Sequence, residues 1–147
     1  ITASLGETHR IEKVVERRTW QNWQGTQQFK HELSELPVGT YGINVMSLDA
    51  AEAAADSFPP GAIIITVRQP HDWKPIMVSH VGFIIPTPPG TPTTMRHATK
   101  MAGQKVRDHH LEWYIERLRW FPRAVEGISV LMPLEQGPRW SRIEAGQ

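Results

Sequence analysis

One of the longest apolar runs in the chain begins at Ala62, continues rich in isoleucine to Val67 and is closed off upstream by Pro59-Pro60-Gly61, the pattern of a buried strand. Beyond a loop holding Pro70, His71, Asp72, Trp73 and Pro75, the segment Ile76 to Ile85 alternates as a second strand does. That alternation puts Val78, His80, Gly82 and Ile84 on one face, with Met77, Ser79, Val81 and Phe83 on the other. Pro86 to Pro92 reads as a hairpin connection into a third strand, Thr93 to Ala98. His80 and His97 are therefore expected on neighbouring antiparallel strands, and their rings meet only if both point to the same face.

Helical periodicity is clearest in two places. Ser47 is placed as an N-cap for an alanine-rich helix over 48–56, which Pro59-Pro60-Gly61 stops. Asp108 is placed as an N-cap for a helix over 111–121, where Leu111, Tyr114, Ile115 and Leu118 form an apolar stripe and Pro122 ends the run. Gly127 to Pro133 reads as the last strand, followed by a polar tail over 134–147. At the other end the period is mixed: Ile11, Val14, Val15 and Arg18 fit one helical face, and a short strand pair fits as well. Trp20 and Trp23 are expected to cover a core edge, and Pro37, Gly39 and Gly42 to punctuate a turn-rich stretch. No repeat, low-complexity tract or linker divides the sequence. The expectation is one α+β domain over residues 1–147, an antiparallel sheet with flanking helices.

Composition narrows the function classes. A chain of 147 residues with 39% hydrophobic and 21% charged residues can bury a core without disulfides or a structural metal. Its formal charge is +1 and its basic residues are dispersed among acids, so nucleic acid is not an expected partner. Arg117 with Arg119 and Arg139 with Arg142 are taken as solvated faces. The apolar runs fall far short of the roughly 20 residues that span a bilayer. There is no cysteine, which excludes internal disulfides, thiolate metal sites and a thiol nucleophile within this sequence.

The residues able to do chemistry are histidines. His80, held on a strand near the small Gly82, suits a general base, since an imidazole exchanges its proton at about pH 6.5. Gly82 is expected to let a substrate backbone approach. His97 could fix the tautomer of His80, as the third member of a triad does; on pattern alone each is more simply an ordinary, partly buried histidine. A zinc site drawn from His71, His80, His97, His109 and His110 matches no ligand spacing, so neither a metal nor a cofactor is expected. The His109-His110 pair is assigned to the start of the last helix, Arg96 to a surface salt bridge, and His71 with Trp73 to a loop rim. Ser47 is a cap rather than a nucleophile.

Taken in order, the Pro-Gly entry to an isoleucine strand, Ser79-His80-Val81-Gly82-Phe83, Arg96-His97-Ala98-Thr99, Lys105-Val106, the helix with Tyr114, and Gly127-Ile128-Ser129-Val130 resemble the N-acetylmuramoyl-L-alanine amidase-like family of the NlpC clan. The likeness covers roughly residues 60 to 133, with a weaker echo at Ile1-Thr2-Ala3. It implies a papain-like fold with a cysteine at a helix start, His80 as base and His97 as its orienting partner. It further implies a muropeptide or peptidoglycan fragment as substrate, cleaved at the bond between muramic acid and L-alanine, and a periplasmic or secreted protein. This sequence is then expected to be the carboxy-terminal part of such a domain, with the nucleophile on an upstream segment of the same protein. The alternative is a catalytically silent peptidoglycan- or peptide-binding domain. An interaction module built on the scattered tryptophans ranks last.

Overall fold

The computed structural model describes residues 2–23, 31–100, 105–122 and 124–134. A single helical turn, α1 (Thr2–Leu5), leads into β1 (His9–Val15), α2 (Arg17–Asn22), β2 (Gly39–Val45) and α3 (Leu48–Ala53). Then follow β3 (Ile63–Arg68), β4 (Val78–Ile85), β5 (Thr94–Thr99), β6 (Lys105–His110), α4 (Leu111–Arg119) and β7 (Val125–Leu131). The architecture is α+β. Strands β3 to β7 form one antiparallel sheet in the order β6-β5-β4-β3-β7, and β1 pairs with β2 in a separate antiparallel hairpin.

Each face of the main sheet has its own cover. Ile64, Ile84, Met95, Ile128 and Val130 pack against Ala51 of α3 and against Leu111, Ile115 and Leu118 of α4, forming the main core. On the other face, the β1–β2 hairpin lays Ile11, Ile43 and Val45 over Ile65 and Val67. The two covers follow from the period of two along β3, which sends Ile64 and Thr66 one way and Ile65 and Val67 the other. Thr2 pins α1 to β7: its hydroxyl donates to the Val130 carbonyl at 2.8 Å and accepts from the Val130 amide at 2.9 Å.

The hairpin is tied to the sheet by a two-way backbone bridge between Met46 and Ile128. Gly127 makes it possible. Its φ is +150°, and a Cβ there would lie 1.8 Å from the Met46 carbonyl oxygen.

Several expectations need correction. Residues 11 to 18 do not form one helical face: Ile11, Lys13 and Val15 are buried in alternation along β1, while Val14 is 57% exposed. The glycine-punctuated stretch is a strand, β2, rather than a run of turns. The second sheet strand starts at Val78, not Ile76. Ser47 does cap α3, its hydroxyl accepting from the Ala50 amide at 3.1 Å, but the helix ends at Ala53 and tightens into a 3₁₀ turn over Ala55–Ser57. Asp108 caps nothing. It lies within β6, and His110 occupies the N-cap of α4. Of the predicted tail, Leu134 alone falls within the described residues.

Candidate active site

Strand β4 places His80, strand β5 places His97, and both point to the face covered by α4. The register sets His97 opposite Gly82, so the two histidines lie diagonally across the ladder. Their rings meet edge to face, with Nε2 of His80 2.6 Å from Nδ1 of His97. The chain of imidazoles continues: Nε2 of His97 lies 2.8 Å from Nδ1 of His109, at the end of β6. Trp113 of α4 lies against the His109 ring, centroids 4.3 Å apart. Beneath His80 and His97 sits the Tyr114 ring, whose hydroxyl bonds Thr66 Oγ1 at 2.6 Å.

Burial sets the protonation. His97 is 6% exposed, and its pKa is depressed to about 4, first by desolvation and then by repulsion from His80 and His109, with Asp108 pulling the other way. Burial also lowers His80. A neutral His97 has one N–H and one lone pair, so its two contacts are coupled: it accepts one hydrogen bond and donates the other. Tyr114 is pushed up to about 12 by burial, so its phenol keeps its proton and acts as a fixed hydrogen-bonding floor.

The rings of His80, His97 and Tyr114 border a cavity of about 380 Å³ whose wall includes Thr66, Arg68, Ser79, Thr99, Lys100, Trp113, Arg117 and Phe121. A more open depression of about 520 Å³ lies along Pro88–Pro92 with Asp56, Phe58 and Glu112, and no histidine lines it. Among the described residues no group of three or more His, Asp or Glu side chains is arranged to hold a metal ion.

The other candidates lie elsewhere. Arg96 points to the opposite face and grips Asp108 of β6 with two 2.8 Å bonds. His71 and Trp73 stack on each other, Lys13 donates to the His71 carbonyl, and Trp73 lines a depression separate from the histidine cavity. Trp20 is buried with Val15 and Leu36 and donates its indole N–H to the Pro37 carbonyl at 2.7 Å, a core-edge position. Gly82 does not open the way for a substrate: a Cβ there would lie 2.7 Å from the Met95 sulfur, so the missing side chain makes room for Met95. His109, expected at a helix start, lies instead in β6 as a neighbour of His97. A period of two over Lys105–His110 would have placed it on the same sheet face.

The fold has counterparts among solved structures. A Legionella pneumophila protein described by the family model DUF1460 superposes with a TM-score of 0.72 at 17% identity, covering 91% of this chain and 55% of its own. A Bacteroides uniformis N-acetylmuramoyl-L-alanine amidase superposes with a TM-score of 0.53 at 17% identity, covering 88% of this chain and 54% of its own. This chain thus spans about half the length of each. Neither a family model nor a curated protein matches the sequence.

Proposed function

We propose that this chain is the histidine-bearing part of a cell-wall amidase that cleaves the N-acetylmuramoyl-L-alanine bond, with the nucleophilic cysteine supplied from outside these 147 residues. The observation that carries the reading is the 2.6 Å contact between Nε2 of His80 and Nδ1 of His97, on two rings that line the cavity. The likeness in fold to an amidase supports the choice of bond.

In this scheme His80 donates Nε2–H to His97, and His97 donates Nε2–H to His109, fixing the tautomer that exposes the Nδ1 lone pair of His80. Nδ1 takes the proton of the incoming thiol, and the thiolate attacks the amide carbonyl. The C–N bond breaks as His80 returns that proton to the leaving amine, giving a thioester. Water then gives a proton to His80 and attacks the thioester carbon, releasing the acid and the thiolate, which recovers its proton from His80. Burial keeps both imidazoles neutral near pH 7, the state that a base requires. A wall-derived substrate favours a periplasmic or secreted protein. Among the described residues no helix is long and apolar enough to cross a membrane.

The test is release of L-alanyl peptide from muropeptides by this chain joined to the polypeptide encoded ahead of it. Substituting His80→Ala should abolish turnover with the fold retained. Turnover that survives the substitution overturns the assignment of His80. Muropeptide binding without hydrolysis in the joined protein replaces the enzyme with a binding domain.

A further inference from the structure

A depression of about 440 Å³ lies between β1, α2 and the loop joining β3 to β4, and no residue of the histidine cavity lines it. Its size falls within the roughly 300–1,000 Å³ of small-molecule sites. Lys13 lines it and is only 5% exposed. Nζ of Lys13 donates to the His71 carbonyl at 2.8 Å, and among the described residues no acceptor takes its other N–H groups. Trp73 forms another part of the wall. His71 stacks on one face of its indole, ring planes 19° apart, yet Trp73 is 54% exposed. Asn22 and Asp72 also line the depression; both are exposed, and neither side chain bonds another described residue. Glu16 and Arg18 are spent on each other, in an ion pair of 2.5 Å.

We propose that this depression binds a neutral oligosaccharide of acetamido sugars, seated on the face of Trp73 that His71 leaves open. A pyranose ring presents a face of C–H groups and a rim of hydroxyls, so an indole covers the first while polar side chains around it take the second. The acetamido group adds one carbonyl acceptor and one N–H donor. Lys13 has only donors to give, an ionised Asp72 only acceptors, and Asn22 has both, so each part of that group finds its complement. Two bases and two acids line the depression, and this balance gives an ionic ligand no net pull. The stacked His71 holds the indole plane in advance, which lowers the ordering cost of binding. The loop carrying Trp73 enters β4 at Val78, just ahead of His80 on the same strand, so the depression serves the end of the sheet that bears the proposed base. Identifying the glycan with the sugar part of a wall substrate rests on the amidase reading; the binding itself does not.

The experiment is an NMR titration of this ¹⁵N-labelled chain with the β-1,4-linked tetramer of N-acetylglucosamine, and with cellotetraose, which has the same linkage and no acetamido groups. The indole N–H signal of Trp73, assigned by its loss in Trp73→Ala, and the side-chain amide of Asn22 should move together as the tetramer is added, with a Kd of about 1 mM or tighter. Cellotetraose should bind about tenfold less tightly, as should the tetramer to Trp73→Ala and to Asp72→Ala, both substitutions at exposed positions. Binding should survive His80→Ala. No response at Trp73, a response confined to residues of the histidine cavity, equal affinity for the two tetrasaccharides, or affinity untouched by both substitutions overturns the site. The comparison of the two sugars is read on the unsubstituted chain, so it decides even if a variant fails to fold. A response at Trp73 without turnover in the joined protein leaves the site standing on a binding domain; turnover with no response at Trp73 leaves the amidase standing without it.

Discussion

Nε2 of His97 lies 2.8 Å from Nδ1 of His109, so the ring bonded to His80 is itself held from behind. A neutral imidazole between two others cannot donate to both, and the order of donors along the chain decides which nitrogen of His80 can take a proton. Long-range ¹H–¹⁵N spectra should show His80 and His97 both protonated at Nε2. The reverse order would make Nδ1 of His80 a donor and remove it as a base. In His109→Ala the His97 signals should shift toward a mixture of tautomers; unchanged signals would mean that His109 does not set the ring.

Stability should carry the mark of the same burial. His97 has a folded-state pKa of about 4 against an ordinary value of 6.5, so the unfolded chain binds more protons in that window. Its contribution is full above pH 6.5 and is lost as pH falls toward 4, and His80, lowered by burial, acts in the same direction. His109 and Asp108 share the neighbourhood. The loss assigned to His97 is roughly 1–3 kcal/mol once solvent screening is allowed for. Denaturant melts at pH 7 and pH 4.5 should show it as a difference between the unsubstituted chain and His97→Asn, whose acid sensitivity should be weaker. Parallel pH profiles would contradict the shift.

Thr66 and Tyr114 form a buried hydroxyl pair at 2.6 Å under the two rings. Tyr114→Phe strands the Thr66 hydroxyl and should cost about 1–3 kcal/mol. Adding Thr66→Val removes the orphan, so the double variant should recover part of that loss; a double variant with purely additive losses would show that the two hydroxyls are not coupled.

What could be read from the sequence was what local pattern controls. Alternation over 76–85 and the short proline-rich link to the next strand were enough to put His80 and His97 on adjacent antiparallel strands. The β6 segment gave no such signal. Lys105-Val106-Arg107-Asp108-His109-His110 is an edge strand with most of its side chains exposed, so no hydrophobic period marks it, and Asp108 ahead of an apolar stripe mimics a helix cap. Losing β6 concealed His109. The role of Gly82 is hidden from the sequence for a different reason: Met95, which needs the space, comes from the neighbouring strand, and pairing register is a tertiary fact.

The Met46–Ile128 bridge gives the last prediction. Gly127 combines a left-handed φ with a backbone approach that leaves no room for a Cβ. Gly127→Ala must therefore push the Met46 carbonyl away, breaking the two hydrogen bonds that tie the chain after β2 to β7. Strain and two lost bonds together should cost roughly 3 kcal/mol or more. The damage should concentrate on the hairpin, where Ile11 and Val45 lose their seat on Val67, before it reaches the face bearing the histidines. Hydrogen exchange checks this: faster exchange in β1 and β2 with β4 and β5 still protected is expected, whereas uniform loss of protection would mean that the hairpin and the five-stranded sheet unfold as one unit.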